Sequence, residues 1–216
     1  MKRIVNITLI SITTLLVLFA LGESIGRIGD LKLAKDQPEL LAADSFHIHY
    51  ANHAVIMYIH VIAGMAFLIS GTYQLIPSFR IKNIKGHRLV GKIFLAISFV
   101  VSISAMVFSI YYPFGDHIET AANLIFGVYI LIATIKAYTT IKQKRVIEHA
   151  NWVRRVFFVS LSIATIWLIM IATNIITGAS VQQVMGQSFL IGFSLHTIIV
   201  ELWIYQNVNL TRNAAG

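Results

Sequence analysis

Apolar residues in this chain run in long blocks rather than alternating or falling into narrow stripes. Six blocks occupy residues 4–22, 54–76, 93–112, 121–138, 156–176 and 189–205. A helix rises about 1.5 Å per residue, so roughly 20 apolar residues cross the hydrocarbon core of a bilayer. The pattern predicts an all-α fold, a polytopic membrane bundle of six transmembrane helices forming one integral domain over residues 1–216. The sixth block is the shortest and holds a carboxylate, Glu201, well inside it. Residues 23–53 form a long polar connection that ends in His47, His49 and His53, with a short interfacial helix predicted around Pro38 to Ala43. The other connections are short, and no internal repeat is visible.

Composition supports a lipid setting. Hydrophobic residues make up 57% of the chain and charged residues 12%, with a mean hydropathy of +0.76, whereas soluble domains carry about 25% charged residues. Cysteine is absent, which removes disulfides, thiolate metal sites and a cysteine nucleophile. The net charge of +8 does not signal a nucleic-acid partner, because its distribution follows the spans. Fourteen Lys and Arg residues flank one side of the six blocks and only Arg27, Lys32 and Lys35 the other, where seven of the nine carboxylates lie. By the positive-inside rule the basic side is cytoplasmic, and so are both termini. The expected location is the cell's inner (cytoplasmic) membrane, crossed several times, with the lipid bilayer as first partner. Lys2 and Arg3 before the first block, and Ala20-Leu21-Gly22 after it, imitate a cleavable signal, but its length favours an uncleaved anchor.

Hydrophobicity does not draw helices together in lipid, whereas small residues let their backbones approach. Ser98 with Ser102, Ala105 with Ser109, Ser160 with Ala164, and Gly64 with Gly71 mark the expected packing faces. No nucleophile elbow, phosphate loop or His-Glu-x-x-His zinc motif is present.

Ionisable side chains inside a membrane are costly and mark candidate sites. Three groups stand out. His49, His53 and His60 fall at spacings of four and seven and would share one face of a continuous helix as a metal triad, with His47 and His117 nearby. His60 and His196 lie at matched depths, about 9 and 10 Å from the outer boundary by helical rise, where facing imidazoles suit a haem b between helices. Hydrogen bonding to Asn123 is their bland alternative. His87, Arg88, His149, Trp152, Arg154 and Arg155 gather at the cytoplasmic ends of the spans. Glu201 belongs with them, and Arg155 is its expected partner. Such a belt suits a lipid headgroup, a quinone or a haem propionate, or simply a structural ion pair with snorkelling arginines.

At these residues the chain resembles a known family. The series His60-Val61-Ile62-Ala63-Gly64, Gly71-Thr72-Tyr73-Gln74 with Arg80 following, Gly86-His87-Arg88-Leu89-Val90-Gly91-Lys92, His149-Ala150-Asn151-Trp152-Val153-Arg154-Arg155, and Glu201 is similar to bacterial multipass membrane proteins grouped as domain of unknown function 2306. The resemblance favours His60, His87, His149, Arg155 and Glu201 over the outer histidines and implies no settled activity. Ala150 and Asn151 stand where the family usually has arginines, Trp167 near where it tends to have another, and His196 lies outside its pattern. The residues together point to a histidine-ligated haem or transition-metal site for electron or quinone handling. The alternative is a non-enzymatic membrane subunit or assembly factor that binds lipid or a partner protein.

Overall fold

The computed structural model describes the backbone of residues 2–41 and 45–213, and the side chains of 8–41 and 45–207. The described residues are helical with short links and no strand. The helices are α1 (Lys2–Asp36), α2 (Phe46–Ala51), α3 (Ala54–Leu75), α4 (Pro77–Lys82), α5 (Ile84–Tyr111), α6 (His117–Lys142), α7 (Val146–Ser160), α8 (Ser162–Thr177) and α9 (Val181–Asn213). Six stretches are long and apolar enough to cross a membrane: α1, α3, α5, α6, α7 with α8, and α9. An even number of crossings places both ends of the bundle on one face, the one that carries the basic connections.

The first helix corrects the expectation for residues 23–53. The chain does not leave helix at Gly22 but continues to Asp36, about 52 Å in all at helical rise. Val17, Ala20, Arg27, Leu31 and Ala34 are buried, which continues one helical face beyond the apolar block. No proline intervenes before Pro38. The interfacial helix expected over Pro38 to Ala43 is a single 3-10 turn, Pro38–Leu40; Ala42, Ala43 and Asp44 lie outside the described residues. The Ser45 hydroxyl then caps α2 by accepting from the amide of Ile48 at 3.3 Å.

The fifth crossing runs from α7 into α8 through Leu161, which stays helical (φ −66°, ψ −13°) and keeps its bond to the Phe157 carbonyl at 2.9 Å, with one tightened turn from Leu161 to Ala164. The Ser162 hydroxyl is buried with no hydrogen bond among the described residues. Ser160, one residue before this turn, lines a cavity.

Around the bundle α3 packs on α1 and α5, α5 on α6, α6 on α7 and α9, and α8 on α9. The core toward the basic face is aromatic: Phe67 stacks on Phe94 with centroids 4.8 Å apart and on Phe157 at 6.1 Å. Gly71 makes room for this stack, since a Cβ there would lie 2.8 Å from Phe94 and closer still to Phe157. Gly64 has open space beside it instead. Of the expected packing serines, Ser98, Ser102 and Ser109 are buried, and Ser98 joins Thr134 of α6 at 2.9 Å.

Candidate functional site

All six crossings line one cavity of about 210 Å³, set toward the face opposite the basic connections. On α3 its wall runs from Met57 to Leu68, about 16 Å by helical rise. Most of the lining is aliphatic or aromatic, including Phe67, Phe108, Phe189 and Phe193. Its charged and polar members include Arg27, His60, Glu119 and Asn123. An apolar cavity of about 150 Å³ accepts benzene, so this one is sized for a ring rather than a macrocycle.

Arg27 enters because α1 stays helical past Gly22. It is 8% exposed, and its guanidinium lies 4.3 Å from the ring centres of both Phe46 and Trp167. This double cation–π contact holds the charge from two sides. No hydrogen bond or ion pair ties Arg27 to any described residue, so its donors remain available. Glu23 and Asp30, one turn either way on the same helix, supply compensating charge.

Glu119 enters from α6, whose start is fixed by Asp116. The Asp116 carboxylate accepts from the amides of Ile118 and Glu119, each at 3.0 Å, a helix N-cap. Glu119 is 4% exposed. Its Oε2 accepts from the Gly115 amide at 2.6 Å, and no cation among the described residues pairs with it. Tyr50 of α2 covers this end and donates to the Tyr112 carbonyl at 3.1 Å. Burial, with the neighbouring Glu119 charge, raises the Tyr50 hydroxyl above the usual phenol range.

The tautomer of His60 follows from its bonds. Ser104 Oγ gives its single proton to the carbonyls of Val100 and Val101, at 2.7 and 3.0 Å. With that proton on the helix carbonyls, Oγ accepts from His60 Nδ1, 2.7 Å away. The neutral ring then carries its proton on Nδ1 and presents a lone pair at Nε2. Among the described residues the cavity combines His60 Nε2 and the Glu23 and Glu119 carboxylates as acceptors, Glu119 already held by backbone amides at Gly115 and Phe114, with donors on Arg27 and Asn123.

A second cavity of about 260 Å³ lies on the same face and shares Phe46 and Trp167 with the first. Those two rings, with Arg27 between them, form the partition. His47 borders this vestibule and reaches Asp30 of α1 at 3.5 Å. Burial first, and then Arg27, lower the His47 pKa below the usual imidazole value, while Asp30 opposes the shift.

The other expected residues are placed differently. His196 does not face His60. Its Nδ1 donates to the Phe158 carbonyl at 2.8 Å and its Nε2 accepts from Thr165 at 2.8 Å, so both nitrogens are filled and the pair does not fit a haem between them. His49, His53 and His60 do not converge either. The helix is interrupted before α3, His49 Nε2 donates to the Tyr112 carbonyl at 3.2 Å, and His53 stacks on the Tyr112 ring at 3.8 Å. Among the described residues no three His, Cys, Asp or Glu side chains are grouped to hold one metal ion.

Toward the basic face, Arg155 and Glu201 form a two-pronged pair, Nε to Oε1 at 2.6 Å and Nη2 to Oε2 at 2.7 Å. Tyr129 donates to the same carboxylate at 3.1 Å, and Trp152 lies under the guanidinium at 4.4 Å. His149 Nδ1 donates to the Ala137 carbonyl at 2.8 Å. His87 is held through its own carbonyl, which accepts from the Gln74 amide at 3.0 Å, and its Nδ1 is buried and unpaired among the described residues.

The family model described as "Predicted membrane protein (DUF2306)" matches residues 57–204, more than half of the chain. The chain belongs to the DUF2306 family. No curated protein and no solved structure matches it. The DUF2306 segment contains His60, Glu119 and Asn123 together with the Arg155–Glu201 pair, while Arg27, Phe46 and Tyr50 come from α1 and α2 outside the match. Arg27 and Glu119 were missed in the sequence because each lies just beyond an apolar block. The signal for Arg27 is the helical spacing from Val17 and Ala20 to Leu31 and Ala34. For Glu119 it is the Asp116 cap, which starts α6 before residue 121.

Proposed function

We propose that this DUF2306 protein binds a small amphiphile carrying an oxygen-bearing ring, of the quinone or quinol kind, in the cavity between its six spans. One observation carries this: His60 Nε2 and the Glu119 carboxylate stand as acceptors, and Arg27 and Asn123 as donors, around apolar walls. A few convergent polar groups in an apolar pocket are the usual form of a small-molecule site. Ring hydroxyls would donate to His60 and Glu119, ring carbonyls would accept from Arg27 and Asn123, and an apolar tail would leave between helices into lipid. The positive-inside pattern supports a bacterial cytoplasmic membrane with both termini in the cytoplasm and the cavity toward the outer leaflet.

Calorimetric titration of a short-chain benzoquinol into the purified protein tests this. Saturable binding at one site, weakened tenfold or more by His60→Ala and by Glu119→Gln, is expected; tenfold corresponds to about 1.4 kcal/mol. Absence of saturable binding, or equal affinity in both variants, would overturn it. The open Nε2 of His60 favours a second reading, in which that nitrogen ligates a haem iron or a transition metal. A visible absorption spectrum with metal analysis separates the two. A non-enzymatic subunit or assembly factor, the third reading, would copurify with a larger complex and be indifferent to His60→Ala.

A further inference from the structure

The cavity holds a ring and little more, about 210 Å³ against the roughly 150 Å³ that accepts benzene. Any long tail on the ligand has to leave it, and the walls differ in what they let through. Toward the vestibule the way is closed by Phe46 and Trp167, with the Arg27 guanidinium 4.3 Å from both ring centres.

On the lipid side α1 is the loosest wall. α3 touches α7 but has no more than a marginal contact with α8, and α1 covers the space between them by packing on both. Only 11% of its apolar stretch lies inside the bundle, against 33% or more for the other five crossings. From residue 20 to residue 36, among the described residues, no hydrogen bond or ion pair ties α1 to α3 or α8. Ser24 gives its proton to the Ala20 carbonyl of its own helix at 2.7 Å. Arg27 holds α1 to Trp167 of α8, but two helical turns away from Ala20. α1 also precedes the segment matched by DUF2306, so this wall is supplied from outside it.

The α3 wall has a gap. Gly64 lines the cavity, as Ala20 and Ser24 of α1 do, and a Cβ at Gly64 would meet nothing within 4 Å. Gly64 lies about 15 Å along α3 from Ala54 by helical rise, halfway through a hydrocarbon core about 30 Å thick. His60, the acceptor for a ring hydroxyl, is one turn nearer the start of α3. A ring at His60 would send its tail past Gly64 at the depth where acyl chains lie.

Resting on the ring-site reading above, we propose that the ligand is a membrane-resident amphiphile with one long apolar tail. The tail leaves the cavity between α1 and α3 at Gly64, and α1 is the movable wall that admits it.

Two benzoquinols, one without a side chain and one with a decyl tail, are titrated into the full-length protein in the same phosphatidylcholine nanodiscs. The readout is the ratio of their affinities, in which partition into lipid is common to every variant. Gly64→Leu fills the gap and is expected to lower the affinity for the decyl quinol at least tenfold more than that for the tail-free one. Ile62→Leu, at a lipid-facing position of α3 that is 57% exposed, is expected to keep the starting ratio. A ratio unchanged by Gly64→Leu, or changed as much by Ile62→Leu, overturns the exit at Gly64 and leaves the ring site standing. Binding of neither quinol to the unaltered protein overturns the ring site and the exit with it. If Gly64→Leu does not fold, Ser24→Leu blocks the seam from α1, with the same change of ratio expected and an unchanged ratio contradictory.

Discussion

His60 donates from Nδ1 to Ser104 across 2.7 Å, and the hydroxyl passes its own proton to the backbone of α5. The bond fixes both the orientation of the imidazole and the nitrogen that remains open. Ser104→Ala removes the orienting acceptor without touching the cavity wall. It is expected to cost about 1 kcal/mol of stability, the worth of one net hydrogen bond, and to weaken quinol binding several-fold rather than abolish it. Calorimetry on the variant checks this; unchanged binding would mean that the ring orientation has no role.

The Arg155–Glu201 pair is structural cement between α7 and α9. Breaking a buried pair leaves an unmatched charge and costs about 3–5 kcal/mol. The Glu201 side chain is 43% exposed, so about 1–3 kcal/mol is expected for Arg155→Ala after that discount. Arg155→Met combined with Glu201→Leu removes both charges and is expected to recover most of the loss. Thermal unfolding in detergent distinguishes the two, and a double variant as unstable as the single one would contradict this account.

Gly71 is expected to tolerate no side chain. Its would-be Cβ meets Phe94 and Phe157, whose rings are already stacked with Phe67. Gly71→Ala is expected to cost about 1–3 kcal/mol through overpacking, and Gly64→Ala, beside open space, much less. Their melting temperatures should separate accordingly.

The partition between cavity and vestibule is testable because the chain has no cysteine. Met57 lines the cavity and is 4% exposed. Met57→Cys should resist a membrane-impermeant thiol reagent in the otherwise unchanged chain and react several-fold faster when Trp167→Ala is added. Equal rates would show that Phe46 and Trp167 do not separate the two spaces.

The junction of α1 and α2 should weaken in acid. Burial lowers the His47 pKa below the ordinary imidazole value near 6.5, so the unfolded chain binds the extra proton more readily than the folded one. Stability should therefore rise with pH through the region below about 6.5 and level off above it. With Nε2 toward Asp30, protonation places the new hydrogen on Nδ1, which is buried and unpaired among the described residues. Hydrogen-exchange protection of residues 30–41 and 45–50, taken relative to the intrinsic rate at each pH, should fall between pH 7.5 and 5.5, and His47→Gln should flatten that dependence.

The six crossings were legible in the sequence because lipid demands long apolar runs. The Arg155–Glu201 pair was legible because a carboxylate twelve residues into a span needs a cation at its own depth. The cavity was not. Arg27 and Glu119 sit where an apolar run has ended but the helix has not, and hydropathy marks the end of the run alone. The match of His60 and His196 in depth, counted along each helix, carries no information about rotation about each helix, which turns His196 toward Phe158 and Thr165. The spacing of His49, His53 and His60 presumed one helix, whereas the link between α2 and α3 divides them.

The central claim is that a quinone-type ring is held among His60, Arg27, Glu119 and Asn123. Photo-crosslinking with a short-chain azidoquinone, followed by peptide mapping, tests it most directly. Labelling on residues 57–68 of α3 and 119–130 of α6, suppressed by excess unlabelled quinol and reduced by Glu119→Gln, is the predicted result. Labelling confined to lipid-facing positions such as Ile10, Ile62 and Ile175, or unaffected by competitor, would contradict it.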